Sequence, residues 1–200
     1  MFKRIAIAAL LVFISPFAAA QDVTDDAIHD ELRGLLSGIE AAVNEERYGD
    51  LARFFDDNAR ITTISQEFLA SPGAIEPYFD HWFGEGGFIR KLDMKLKADA
   101  LTEFYADKTM GVVRGSGSEF YELADGRTYP METRWTATVI KDADGKWRIL
   151  TLHIGTNFLD NAVLSSAVAT AKNYVLTAAG IGAAIGLILG LLLGRRRKAA

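Results

Sequence analysis

The sequence predicts an α+β fold, with helices first, a run of antiparallel strands after them, and an apolar segment at each end. Three patterns carry this expectation. Ile28, Leu32, Leu35, Leu36, Ile39 and Val43 recur at helical spacing. From Phe88 onward the apolar positions alternate instead. Two long uncharged runs then bracket the charged body of the chain.

The N-terminus reads MFKRIAIAALLVFISPFAAAQD: two cations, an apolar run from Ile5 to Phe17, and three alanines. This is the layout of a secretory signal, so residues 1–20 are expected to be a signal peptide cut after Ala20. At the other end, no charge occurs between Lys172 and Arg195. A helix over those 22 residues would be about 33 Å long, enough for a hydrocarbon core of about 30 Å. We expect a membrane helix over 174–194 and a basic tail, 195–200, that stays on the cytoplasmic side. The signal peptide demands the same topology. The body is therefore expected in the periplasm or extracytoplasmic space, held by a single span in the inner (cytoplasmic) membrane.

All 26 acidic residues lie within 21–173, against 16 of the 22 basic ones, a net charge of −10 for this part. An acidic surface repels phosphate backbones, which argues against a nucleic-acid partner. The chain has no cysteine, so disulfides, thiol chemistry and a lipidated cysteine are excluded.

Within the body, 21–159, residues 24–48 read as an amphipathic helix capped by Thr24 and broken at Gly49. The short helical piece DLARFF and the strand ARITTIS (59–65) come next. Pro72 opens a further helix, PGAIEPYFDHWFG, in which Pro77 marks a kink or the true first turn. Four long strands follow, with turns at Asp125-Gly126 and Asp144-Gly145. RGSGSE (114–119) contains Gly-x-Gly without a following helix, so it suggests a bulge or bend and not a phosphate cradle. Residues 160–173 read as a helical stalk continuing into the membrane, with Leu164, Val168, Ala171 and Val175 as an apolar seam.

YGDLARFFDDNARITTIS, ADGRTYPMETRWTATVI and DGKWRILTLHIG, in that order and spacing, resemble the NTF2-like superfamily, particularly its SnoaL-like members, over residues 25–158. The resemblance implies a cone: N-terminal helices packed in a strongly curved antiparallel sheet, open at the wide end, dimerising through the outer face of the sheet. Isomerases, dehydratases, cyclases and domains without chemistry all share that fold, so it leaves function open.

Alternation places Arg134, Thr136 and Thr138 on one face of a strand. Trp147, Ile149, Thr151 and His153 share a face of the next. The resemblance points both faces into the cone. The expected pocket is therefore Arg134, Thr136, Thr138, Trp147 and His153, with Trp82 from the aromatic helix Tyr78–Phe83 either flooring it or packing in the core. Arg134 and His153 would hold a carboxylate-bearing molecule, unless Arg134 is paired with a resident carboxylate and His153 is bonded internally.

The resemblance puts Thr63 at or near the general-base position of the isomerase relatives, and threonine cannot take a proton at neutral pH. Asp56 and Asp57 read as solvated helix-end residues. Asp80 and His81, adjacent on a helix, diverge by about 100° and cannot form the dehydratase pair. His29, His81 and His153 show no metal-ligand spacing, and neither metal nor cofactor is expected.

In the membrane helix, Gly182, Gly186, Gly190 and Gly194 stand every fourth residue, a ridge along which two helices can approach closely. The resulting expectation is a membrane-anchored, non-catalytic, homodimeric domain binding a small apolar or acidic ligand or a protein. The alternatives are an isomerase- or dehydratase-type enzyme on a lipophilic substrate, with His153 as acid–base and Arg134 as anion clamp, or a structural oligomerisation module.

Overall fold

A computed structural model of the chain describes the backbone of residues 17–197 and the side chains of residues 25–191. The expected signal peptide up to Pro16, the side chains of the basic tail and the flank of Gly194 lie outside the described residues.

Helix α1 (Phe17–Asn44) starts seven residues before Thr24, so Thr24 is an interior helical residue and not the cap. A 3-10 turn, Tyr48–Phe54, leads into β1 (Phe55–Thr62), the short β2 (Phe68–Leu69) and a second 3-10 turn, Pro72–Ala74. Helix α2 (Ile75–Phe83) has Pro77 in its first turn, where a missing N–H costs no intrahelical bond. Strands β3 (Ile89–Ala98), β4 (Glu103–Tyr105), β5 (Met110–Leu123), β6 (Thr128–Lys141) and β7 (Trp147–Thr156) follow, then helix α3 (Ala162–Arg197).

The strands form one sheet in the order β2-β1-β7-β6-β5-β3, with β4 beside β5. It is mixed, not wholly antiparallel: β1 runs parallel to β7. The reason is chain length, since the whole β3–β6 meander lies between those two strands and supplies the long connection a parallel pair requires. The two hairpins turn where the Asp-Gly pairs predict. Gly126 and Gly145 take φ of +84° and +79°, a region open to glycine without steric penalty. Ser116 and its flanking glycines carry no bulge; β5 pairs with β6 in unbroken register from Met110 to Glu122.

The predicted apolar face of α1 lies in the concavity of the sheet, with Ile28 and Val43 buried and Leu32, Leu35, Leu36 and Ile39 packed against the core. Polar residues on α1 also close the edge of β3. The Asn44 side chain donates to Met94 O at 2.9 Å and accepts from Met94 N at 2.7 Å, and Glu40 Oε2 accepts from Leu96 N at 2.7 Å. Residues at i and i+4 of one helix thus satisfy an edge that would otherwise invite another strand.

Asn161 caps α3, its Oδ1 accepting from Leu164 N at 2.9 Å. The helix then runs unbroken for 36 residues. Within it Ala162–Leu191 is long and apolar enough to cross a membrane, and none of its most apolar stretch is buried against the domain.

Candidate functional site

The inner face of the sheet, α1 and α2 enclose a cavity of about 1020 Å³. Its wall is overwhelmingly apolar. Strand β6 contributes Met131, Thr133, Trp135, Ala137 and Val139, and β7 contributes Ile149, Leu152 and Ile154. Exposed Phe88, Leu101 and Val163 also line it, which brings the cavity to the surface beside the first turn of α3.

On β6 the expected pocket face is reversed in the structure. Arg134, Thr136 and Thr138 point away from the cavity, because the apolar Trp135, Ala137 and Val139 take the inner face, as burial of apolar area requires. Arg134 pairs on the outer surface with Asp99, donating to Oδ1 at 3.2 Å and also to Oδ2. That hydrogen bond is the main reason the Asp99 carboxyl falls below its ordinary range and the Arg134 guanidinium rises above its own. Thr138 accepts from Thr151 at 2.9 Å, also on the outside.

His153 is exposed and lines no part of the cavity. The cause is a bulge: Val139 pairs with Ile149 and Thr138 with Thr151, so Leu150 has no partner of its own on β6. One extra residue shifts the phase of alternation. Trp147 and Ile149 face inward before the bulge; Leu152 and Ile154 do so after it, leaving Thr151 and His153 outside. Trp147 is buried in the core near Phe104 and not in the cavity wall, and its Nε1 has no partner among the described residues.

Trp82 does line the cavity, with Nε1 donating to Glu67 Oε1 at 3.0 Å. Its neighbours Tyr78, Phe79 and Phe83 serve both expected roles. They line the cavity, and Phe79 stacks on Tyr48 with centroids 4.2 Å apart. Thr63 lines the cavity with its hydroxyl 2.9 Å from Ser65 Oγ. Asp56 is buried at the start of β1, accepting from Asn58 N at 2.8 Å, and is no solvated helix end; Asp57 is exposed. Asp80 and His81 are exposed on α2. Among the described residues, no group of three or more metal-ligating side chains could hold an ion.

The sequence reading misses Glu119. This carboxyl lies in the cavity wall on β5 and is 6% exposed. Thr133 Oγ1 lies 2.8 Å from its Oε1, and the Tyr121 hydroxyl donates to its Oε2. Burial pushes the Glu119 carboxyl up, opposed by these two hydroxyls and reinforced by Glu132. Burial first, then the neighbouring Glu119, drives the Tyr121 hydroxyl upward as well. A signal for Glu119 does exist. The Asp125-Gly126 turn fixes Glu119 opposite Met131, on the apolar face of β6.

No family model matches the chain, and no curated protein matches it in sequence. Solved structures do share its fold. A candidate scytalone dehydratase from Novosphingobium aromaticivorans DSM 12444 is 13% identical, with a TM-score of 0.58 over 68% of this chain and 89% of that one. The hexachlorocyclohexane dehydrochlorinase LinA-type3 from Novosphingobium barchaimii LL02 is 16% identical, with a TM-score of 0.56 over 68% and 91%. A candidate calcium/calmodulin dependent protein kinase II association domain from Xanthomonas campestris is 22% identical, with a TM-score of 0.53 over 64% and 86%. The fold is NTF2-like.

Proposed function

We propose that this is a non-catalytic binding domain for a lipophilic small molecule, tethered to the outer side of a cytoplasmic membrane by α3. One observation carries the binding reading: the apolar cavity of about 1020 Å³. Pockets of that size enclose ligands of drug or lipid dimensions, and burying such a ligand against apolar walls supplies the driving force. The titratable groups first expected to act, Arg134 and His153, face solvent. Thr63 offers the cavity a hydroxyl and no base.

A cavity-filling variant tests this. In the full chain reconstituted in nanodiscs, a naphthyl probe should bind wild type and quench Trp82 and Trp135, both in the wall. Leu36→Trp, from the α1 side, should weaken binding about tenfold or more with an unchanged thermal transition. Undiminished binding by Leu36→Trp would remove the cavity as the site.

The same reading places 1–20 as a cleaved signal, 21–159 as the periplasmic domain, 160–173 as a stalk, 174–194 as the span and 195–200 as the cytoplasmic tail. It is supported by the charge-free run after Lys172, the arginines that follow it and the open space around Gly182, Gly186 and Gly190. Self-association through that ridge makes the protein a dimer, and Gly186→Ile should reduce dimers in a membrane association assay.

A second reading, an isomerase- or dehydratase-type enzyme on a lipophilic substrate, is favoured by the buried Glu119, a carboxyl with its pKa raised inside a cleft. It requires turnover that Glu119→Gln abolishes while binding persists.

A further inference from the structure

We propose that the ligand is an apolar amine, whose ammonium group is received by Glu119 in the cavity wall between Tyr121 and Thr133. The proposal rests on the cavity being a ligand site and adds what the ligand must carry.

Glu119 is held in place from both oxygens, Oε1 beside Thr133 and Oε2 beside Tyr121. The arrangement is built around it. A side chain at Gly117 would come within 2.5 Å of Thr133 Oγ1 and 3.0 Å of Glu119 Oε1, so only glycine leaves room for the pair. Both partners are hydroxyls, which orient a carboxylate without neutralising it. Among the described residues, no Lys, Arg or His nitrogen lies within ion-pair distance of Glu119. The further charge that acts on it, Glu132, is also negative.

Among the described residues, the cations along the cavity pair elsewhere or make no ion pair with the carboxyl. Arg33 pairs with Asp30, Arg127 pairs with Asp125, and Lys97 is exposed beside Asp99. A buried carboxylate without a counterion is costly, and it resolves that cost by taking a proton or by receiving a cation. Burial pushes its pKa in the direction of the first response. A ligand ammonium supplies the second. It offers three donors to a carboxylate that has about four acceptor sites and uses two of them. A carboxylate or phosphate on the ligand would meet repulsion at the same place.

Three matched probes decide the matter: 2-(1-naphthyl)ethylamine, 2-(1-naphthyl)ethanol and 1-naphthylacetic acid, titrated at pH 8 into the full chain in nanodiscs. The amine is expected to bind about tenfold more tightly than the alcohol, and the acid more weakly than either. Glu119→Gln should abolish the amine preference and leave alcohol binding within about twofold. Tyr121→Phe keeps the charge and should retain the preference, guarding against general damage to the wall. If alcohol and amine bind alike in wild type, or if Glu119→Gln keeps the preference, the amine assignment falls while the cavity remains a ligand site. If none of the three binds, the ligand-site reading itself falls and takes this one with it.

Discussion

Gly115 on β5 lies directly under the indole of Trp135 on β6. A side-chain carbon at 115 would stand 2.1 Å from Trp135 Cζ2 and 2.2 Å from the Lys97 carbonyl oxygen. Gly115 and Trp135 are also register partners, so the ring crosses its own neighbour to reach the core. The Gly-x-Gly pattern in β5 is thus explained by packing on the adjacent strand.

Gly115→Ala should therefore destabilise the domain by about 1–3 kcal/mol, since neither a packed indole nor a strand carbonyl can move aside cheaply. Gly34→Ala is the contrast. Gly34 is an exposed residue within α1 with nothing near its missing side chain, so alanine should add about 0.5–1 kcal/mol through helix propensity. Urea midpoints of the two variants should move in opposite directions. A harmless Gly115→Ala would mean that the indole does not sit on β5.

The buried Glu119 should leave a signature in the pH dependence of stability. Its folded pKa is raised by burial above the unfolded value of about 4.3, so the folded state holds the proton more tightly. That contribution is complete below the unfolded pKa and is lost as pH rises through the folded one. Glu119→Gln removes it, so the variant should gain on wild type between pH 4 and pH 8 in urea unfolding. Parallel profiles for the two proteins would show that the carboxyl is not desolvated. Asp144 works in the opposite sense and equally in both. Its carboxyl is lowered to about 2, chiefly by Arg148, so its contribution fades only as pH falls toward that value.

Much of this architecture is written in local periodicity. The α1 face from Ile28 to Val43 and both Asp-Gly turns are where spacing and backbone preference put them. Pairing of β1 with β7 has no local signal, because a parallel neighbour some 90 residues away is chosen by the closure of the whole sheet. On β6 the hydrophobic pattern of Trp135, Ala137 and Val139 names the inner face, and the resemblance that favours Arg134 names the wrong one. On β7 alternation alone misleads, since an unpaired Leu150 reverses the phase between Ile149 and Leu152. Glu119 is hidden for a similar reason. Phe120 beside it is the more apolar residue yet is 45% exposed, so only the register set by the hairpin places the carboxyl inside.

Arg134 and Asp99 form a surface pair, with the guanidinium side chain 63% exposed. Water and salt screen such pairs heavily. Arg134→Ala should leave the thermal transition nearly unchanged and probe binding within about twofold. His153→Ala should behave the same way, being on the same outer face. A loss of binding by either variant would mean that the ligand site is on the outer face of the sheet and not in the cavity.

The C-terminal helix bears on where all this happens. Among the described residues it meets the domain near its start, with Val163 at the cavity and Ser166 Oγ 3.4 Å from the Tyr129 hydroxyl. Its apolar stretch finds no burial within the fold, and exposed apolar area on that scale must be covered by lipid or by another chain. A chain ending after Asn161 keeps every strand and both packed helices, so it should fold with a thermal transition within a few degrees of the full protein. It should also leave the membrane fraction and need no detergent. The full chain should resist alkaline carbonate extraction. Extraction of the full chain by carbonate would show that α3 is covered by protein and not by a bilayer. In that event the glycine ridge would be a contact between soluble helices.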